Sequence, residues 1–286
     1  MTGMKVVVTG ANGQLGQALL RAVGDSADHV FSFLGKEELD ITDSEAVGAA
    51  LRDADVVINC AAYTNVEAAE DNKLAADAVN TTGAANLALS AARENALLIH
   101  ISTDYVFGAE ANTPISEEAL PHPLNAYGHS KWEGEKAIIG SGCRYIIIRT
   151  GWLFSLDGKN FVKTMLRLLA ANTELRIVSD QIGTPTYADD LASVILEIIN
   201  TPSPTEGIYN YSNEGVCSWY DFAVAIAQLS GRSCAVYPCL SSEYTSKAAR
   251  PPFSVLDKTK IKTTYNLPIA HWNAALQRCM QNYRSE

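Results

Sequence analysis

Short apolar runs alternate with helical stretches through the first half of the chain, and this rhythm restricts the fold more than any other feature of the sequence. The strand-like runs are Lys5–Thr9, His29–Phe33, Val56–Asn59, Leu97–Ser102 and Arg144–Arg149. Helical spacing covers Gln14–Val23, Ser44–Leu51, Lys73–Glu94 and Tyr127–Ile139. The runs are mostly β-branched and continuously apolar, the pattern of strands covered on both faces. Repeated strand–helix units predict an α/β fold with a doubly wound parallel sheet. Right-handed crossovers then bring the C-terminal ends of the strands to one edge, where such folds bind ligands.

After Thr150 the rhythm loosens. Helices are expected at Phe161–Ala170, Asp189–Ile199, Trp219–Gln228 and His271–Tyr283, with punctuation at Thr201-Pro202-Ser203-Pro204 and Arg250-Pro251-Pro252. The chain is therefore read as a dinucleotide-binding part, residues 1–151, and a mainly substrate-facing part, residues 152–286, with elements near 176–200 returning to the main sheet. A length of 286 residues allows a large core without staples. Hydrophobic residues make up 47% and charged residues 19%, which excludes a disordered chain. A net charge of −10 argues against a nucleic-acid footprint. No apolar run approaches the roughly 18 residues of a membrane span. Met1-Thr2-Gly3-Met4-Lys5 leads straight into a strand and lacks the features of a signal peptide. The six cysteines form no CxxC pair and read as reduced thiols of a cytoplasmic protein. The five histidines are scattered, so no zinc site is expected.

The first strand runs into Gly10-Ala11-Asn12-Gly13-Gln14-Leu15-Gly16, which opens the first helix. Glycine at this turn lets backbone N–H groups approach a pyrophosphate, and the helix N-terminus adds a positive dipole end. With a strand before it and a helix after it, the motif predicts a Rossmann-type site for NADPH or NADH built on Gly10, Asn12, Gly13, Gln14, Leu15 and Gly16. An acidic residue after the second strand usually holds a ribose 2′-OH, and a basic one a 2′-phosphate. Here Lys36 stands beside Glu37, Glu38 and Asp40, so the preference stays open. Asp40 and Ile41 are expected near the adenine or in a helix-approach turn.

Tyr127-Gly128-His129-Ser130-Lys131 places a tyrosine and a lysine on one helical face. A free phenol near pKa 10 exchanges protons poorly at neutral pH, and an ammonium one turn away lowers that value. Ser102 and Thr103, where the fourth strand ends, offer a hydroxyl to a substrate carbonyl. The set predicts a carbonyl reductase. Thr103 and Asp104 also suit a loop cap, and Trp152 suits a core position. Arg250 suits a structural anchor, and Glu67, Glu70 and Asp71 suit a solvated helix face.

With these motifs in hand, the chain resembles the extended short-chain dehydrogenase/reductase superfamily and, within it, the dTDP-4-dehydrorhamnose reductase family. Beyond the glycine turn and Tyr-x-x-x-Lys, the resemblance rests on Asn59-Cys60-Ala61-Ala62-Tyr63-Thr64-Asn65-Val66-Glu67, Ser102-Thr103-Asp104-Tyr105-Val106-Phe107-Gly108 and Arg149-Thr150-Gly151-Trp152-Leu153-Phe154. Asp180-Gln181-Ile182-Gly183-Thr184-Pro185-Thr186, Cys217-Ser218-Trp219-Tyr220 and Arg250-Pro251 extend it over nearly the whole chain. The resemblance implies that Tyr127 donates a proton to a 4-keto oxygen, and that Lys131 lowers its pKa and holds the nicotinamide ribose. It implies that Thr103 hydrogen-bonds the reacting oxygen and that Asp104 and Trp152 meet the sugar. Ala61, Ala62 and Tyr63 would lie against the cofactor, and Asn160 and Arg250 would reach the diphosphate of a dTDP-sugar. Some members form dimers bridged by magnesium through a glutamate of the first helix. Gln17-Ala18-Leu19-Leu20-Arg21 offers none, so a monomer or a homodimer without a bridging metal is expected. Related members reduce other 4-keto sugar nucleotides, and one serves as a regulatory subunit of methionine adenosyltransferase. Intact Thr103, Tyr127 and Lys131 favour catalysis.

Overall fold

The computed structural model describes residues 3–24, 28–108 and 111–283. In chain order the strands are β1 (Lys5–Thr9), β2 (Val30–Leu34), β3 (Val56–Asn59), β4 (Leu97–Thr103), β5 (Arg144–Thr150) and β6 (Leu153–Phe154). There follow β7 (Glu174–Val178), β8 (Ile182–Gly183), β9 (Thr186–Tyr187), β10 (Gly207–Asn210), β11 (Cys217–Ser218) and β12 (Ala235–Cys239). Six of them form one parallel sheet in the order β10-β5-β4-β3-β1-β2. The order reverses beside β1, which puts the topological switch point at the glycine turn.

The continuously apolar runs are explained by what covers them. Val6, Val8, Ile58, Ile99 and Ile148 point to one face, where they pack with α1 (Gln14–Val23) and α8 (Ala188–Asn200). Val7, Val57, Leu98 and Ile147 point to the other, where α2 (Ser44–Ala50) and α5 (Ala84–Glu94) close over them. Successive residues of a strand face opposite ways, so a sheet buried on both sides has no polar positions to spare. A second core lies under α7 (Phe161–Ala171), α9 (Trp219–Ser230) and α11 (Trp272–Tyr283), centred on Phe222 and Leu276.

The structure departs from the sequence reading in three places. The helix expected over Lys73–Glu94 is α4 (Lys73–Asp77), a π-helical turn (Ala78–Gly83) and α5, preceded by α3 (Val66–Asp71). The π turn gives Asn80 its reach: its amide donates to the Tyr63 carbonyl at 3.0 Å and to Ser130 Oγ at 2.9 Å. The sixth sheet strand, β10, is four residues long and was not foreseen. Of the 176–200 region, α8 packs on α1 at the main sheet, whereas β7 pairs with β12 in a separate two-stranded sheet.

Helix α6 (Ala126–Gly140) carries Tyr127 and Lys131 and is fixed to β5 by a buried ion pair. Arg149 Nη2 donates to Glu135 Oε2 at 2.6 Å and Nε to Oε1 at 3.0 Å. Ser102 Oγ also donates to Glu135 Oε1. Both charges are out of solvent, so removing one leaves the other uncompensated. Arg149→Leu is expected to lower unfolding free energy by about 3–5 kcal/mol, read from urea midpoints. A loss under about 1 kcal/mol would show that α6 is held by other means.

Candidate active site

The glycine turn is shaped by contacts that no side chain fits. Gly10 has φ +69°, and a Cβ there would stand 2.5 Å from the Ala61 nitrogen. A Cβ on Gly16 would stand 2.5 Å from the Gly10 carbonyl oxygen, so α1 can begin this close to β1. Gly13 caps α1 without a side-chain hydrogen bond among the described residues, which leaves the helix N-terminal amides facing outward.

Two hollows meet at this turn. One, of about 330 Å³, is lined by Gly10, Asn12, Gly13, Lys36, Asp40, Ile41, Ala61, Ala62 and Tyr63. The other, of about 580 Å³, runs from Gly13, Gln14 and Leu15 past Thr103, Asp104, Tyr127 and Lys131 to Trp152 and Asn160. The two share Gly13, Cys60 and Ala62 in their linings. Asp40 is held by Thr42, whose backbone and hydroxyl donate to Oδ1, and these bonds keep its carboxyl below the usual range.

At the inner end of the larger hollow, β4 delivers Thr103. Its Oγ1 donates to Asp104 Oδ1 at 3.1 Å and accepts from the Tyr105 N–H at 3.2 Å, and Tyr127 lines the same hollow. Burial pushes the Tyr127 phenol up to about 12, opposed by the nearby Thr103 hydroxyl and assisted by the Asp104 carboxylate. This corrects the expectation that Lys131 lowers it. Lys131 Nζ, almost fully buried, instead donates to the Ile101 carbonyl at 2.6 Å and lies 3.1 Å from His100 Nε2. A phenol that keeps its proton at neutral pH is suited to donate one.

The outer wall is aromatic. Trp152 adopts a left-handed backbone (φ +51°) and stacks on Trp219 at 3.5 Å with planes 6° apart. Trp219 received no role from the sequence, where only its neighbourhood in Cys217-Ser218-Trp219-Tyr220 pointed to it. Asn160 lines the hollow, but its amide is committed. It caps α7 at the Lys163 N–H and donates to Gln14 Oε1 at 2.9 Å. Arg250 is not among the residues that line either hollow; its Nη2 lies 2.8 Å from Glu67 Oε1, and its buried Nε has no hydrogen-bond partner among the described residues.

The acidic face of α3 is not free in solvent as the sequence suggested. Glu67 accepts from Ser246 Oγ, the Lys247 N–H and Arg250, Glu70 from the Ala126 N–H, and Asp71 from Lys247. Their partners lie up to 183 residues away, so no local pattern announces them. His100, inside an apolar run, was likewise passed over.

A glycine-turn parallel sheet with Thr103, Tyr127 and Lys131 at its carboxyl edge defines a Rossmann-type oxidoreductase of the short-chain dehydrogenase/reductase class. Within that class the chain belongs to the family described as RmlD substrate binding domain, which it matches over residues 4–285. It is 40% identical to the spore coat polysaccharide biosynthesis protein SpsK of Bacillus subtilis, over 98% of each chain. The structure of a dTDP-4-dehydrorhamnose reductase from Clostridium acetobutylicum superimposes with a TM-score of 0.94 and 39% identity, covering 98% of this chain and 100% of the other. That of the Bacillus anthracis dTDP-4-dehydrorhamnose reductase in complex with NADP gives 0.94 and 36%, covering 98% and 99%.

Asp104 carries a testable electrostatic cost. Burial raises its carboxyl to about 6, and Oδ2 has no hydrogen-bond partner among the described residues. A carboxyl raised on folding favours the folded state below its unfolded pKa and loses that contribution as pH rises through the folded value. Asp104→Asn is therefore expected to melt above the native protein at pH 7.5, with the gain vanishing near pH 4. Melting curves at the two pH values check this, and an equal effect at both would refute the assignment.

Proposed function

We propose that the protein reduces the 4-keto group of dTDP-4-dehydro-L-rhamnose to dTDP-L-rhamnose with NAD(P)H, the last step of dTDP-rhamnose synthesis. The observation that carries this reading is that Thr103, Tyr127 and Lys131 line one hollow, which meets the glycine turn at Gly13 and is walled by Trp152 and Trp219. Full-length likeness to dTDP-4-dehydrorhamnose reductases supplies the sugar nucleotide.

Bound NAD(P)H supplies the hydride to the keto carbon. Thr103 turns its single hydroxyl hydrogen from Asp104 to the keto oxygen and fixes that oxygen beside Tyr127. Tyr127 gives its proton to that oxygen as the alcohol forms, and the phenolate regains a proton from solvent. Lys131 holds the nicotinamide ribose, and the amides after Gly10 and Gly13 hold the pyrophosphate. Ala61, Ala62 and Tyr63 pack along the cofactor, with Asp40 and Ile41 at the adenosine end. Trp152 stacked on Trp219 gives the sugar a flat wall that excludes water, and Asp104 meets its hydroxyls. Asn160 and Arg250 flank the path of the diphosphate.

Residues 1–151 serve mainly the cofactor and 152–286 mainly the substrate on this reading. The enzyme works in the cytoplasm as a monomer or a homodimer without a bridging metal. No helix among the described residues is long and apolar enough to cross a membrane.

Tyr127→Phe removes the proton donor and almost no volume. Turnover is expected to fall about 10²–10⁴-fold while NADPH affinity, read by fluorescence titration, stays within twofold. Full turnover by this variant with dTDP-4-dehydro-L-rhamnose would overturn the reading. Lys36 lines the adenosine hollow, where an ammonium suits a 2′-phosphate. Lys36→Glu is expected to raise the KM for NADPH about tenfold or more and leave that for NADH unchanged. Equal effects on both would remove Lys36 from the phosphate site.

A further inference from the structure

Two cations line the larger hollow, and only one of them is committed. Lys131 is buried and its Nζ donates to the Ile101 carbonyl. Lys159 is exposed and has no hydrogen bond or ion pair among the described residues. It stands on the short loop of residues 155–160 that joins β6 to α7 in the substrate-facing part. The same hollow is lined by Gly13, Gln14 and Leu15, where the glycine turn opens α1.

The loop is latched to the head of α1. Gln14, the first residue of that helix, accepts through Oε1 from Ser155 Oγ at 3.0 Å and from Asn160 Nδ2 at 2.9 Å. Arg21, two turns along α1, pairs with Asp157 at 2.5 Å and with Asp189 of α8 at 2.7 Å. Inside the loop the Asp157 N–H donates to Ser155 Oγ at 3.0 Å, and Lys163 Nζ donates to the Leu156 carbonyl at 2.6 Å. Gly158 takes φ +63°, and a Cβ there would stand 3.3 Å from Gln14 Cγ. Asp157 is thus spent on Arg21, so the one carboxylate of the loop does not neutralise Lys159.

One backbone group fixes the direction of the latch. The Lys163 N–H points at Asn160 Oδ1 at 3.0 Å, and a backbone N–H only donates. The Asn160 NH₂ therefore faces the other way, toward the Ser155 carbonyl at 2.9 Å and toward Gln14 Oε1. Gln14 must meet that NH₂ with its oxygen, which leaves the Nε2 hydrogens without a partner among the described residues. Where the loop meets α1, the hollow therefore offers an ammonium, an amide NH₂ and the backbone N–H groups of a helix start. The one carboxylate in its lining, Asp104, accepts from Thr103 at the inner end. A diphosphate is the anion that such a set of donors suits.

We propose that Lys159 binds the pyrophosphate of the dinucleotide, and that Gln14 positions it there by latching the loop of residues 155–160 to the head of α1. The cofactor is then held by both parts of the chain, by the glycine turn on one side and by a loop of the substrate-facing part on the other. The proposal rests on the dinucleotide site argued above and requires nothing of the sugar. Lys36 and Lys159 differ in what they recognise: Lys36 meets a phosphate that only NADPH carries, and Lys159 meets a group common to NADPH and NADH.

Dissociation constants of NADPH and NADH, read by fluorescence titration without substrate, test the proposal. Lys159→Ala is expected to raise both about tenfold, and Lys159→Arg to leave both within about twofold. Added salt is expected to weaken binding by the native protein more than binding by Lys159→Ala, which has one charged contact fewer. Unchanged constants in Lys159→Ala would overturn the proposal. So would a rise for NADPH alone, which would put Lys159 at the 2′-phosphate. A raised KM for the sugar nucleotide with unmoved cofactor binding would give Lys159 to the substrate's diphosphate and overturn it as well. Gln14→Leu cuts the latch, so Lys159→Ala is expected to cost much less in that background than in the native one. Equal losses in the two backgrounds would overturn the positioning role of Gln14. Should Gln14→Leu fail to fold, the variants of exposed Lys159 still decide. Native protein that binds neither nucleotide would remove the dinucleotide reading and the proposal with it. Native binding that Lys159→Ala leaves untouched would remove the proposal alone.

Discussion

The placement of α6 depends on an ion pair that has no water to fall back on. Glu135 and Arg149 are both buried, and each is also tied elsewhere, Glu135 to Ser102 and Arg149 to the Glu117 carbonyl. Glu117 in turn receives the Asn210 N–H of β10 through its side chain. One charge pair therefore sets three things: the depth of α6 on the sheet, the course of the segment around Glu117 and the seat of the edge strand. In a low-dielectric setting such a pair tolerates little displacement, because any gap leaves a charge unsolvated. Tyr127 and Lys131 inherit their positions from that rigidity. The reactive groups sit on a helix rather than a loop, and the helix is held at a charged contact that has few alternative geometries.

Three costly features lie in or near the hollow. Asp104, which lines it, has an unpaired buried oxygen, Trp152, which also lines it, a left-handed backbone, and Arg250 an unpaired buried nitrogen. Each disfavours the folded state, and in each case the surroundings over-determine the geometry. Asp104 is held by Thr103, Arg250 by Glu67 and Trp152 by its stack on Trp219. An unpaired group that faces a hollow, as Asp104 does, can be satisfied by a ligand where the protein leaves it open.

Much of this was legible in the sequence where the governing signal is local. The first five strands and α1 are written in short apolar runs and a glycine turn, and Tyr127 and Lys131 in a spacing of four residues on one helix. What escaped is decided by partners distant in sequence. Strand β10 is four residues with Tyr209 and Asn210 in it, and only the open edge of β5 makes it a strand. Glu67 and Arg250 find each other across the fold, so a charged helix face that looked solvated is a fastening. Trp219 needs Trp152 beside it before it means anything. The spacing placed Lys131 near Tyr127 correctly, but it could not show that the ammonium is turned toward β4, because that depends on a histidine in another strand.

The late arrival of β10 has a consequence for how the chain is made. Strands β1 to β5 can pair as they leave the ribosome, each against a neighbour already present, and the cofactor cradle is complete once Thr150 has emerged. From then until residue 210 the outer edge of β5, with Ile146, Ile147 and Ile148 in a row, has no partner. An unpaired apolar edge is a template for any other strand it meets. The last four-residue strand of the sheet therefore does more than widen it: it covers the apolar edge of β5, and it does so about sixty residues of synthesis after that edge appeared.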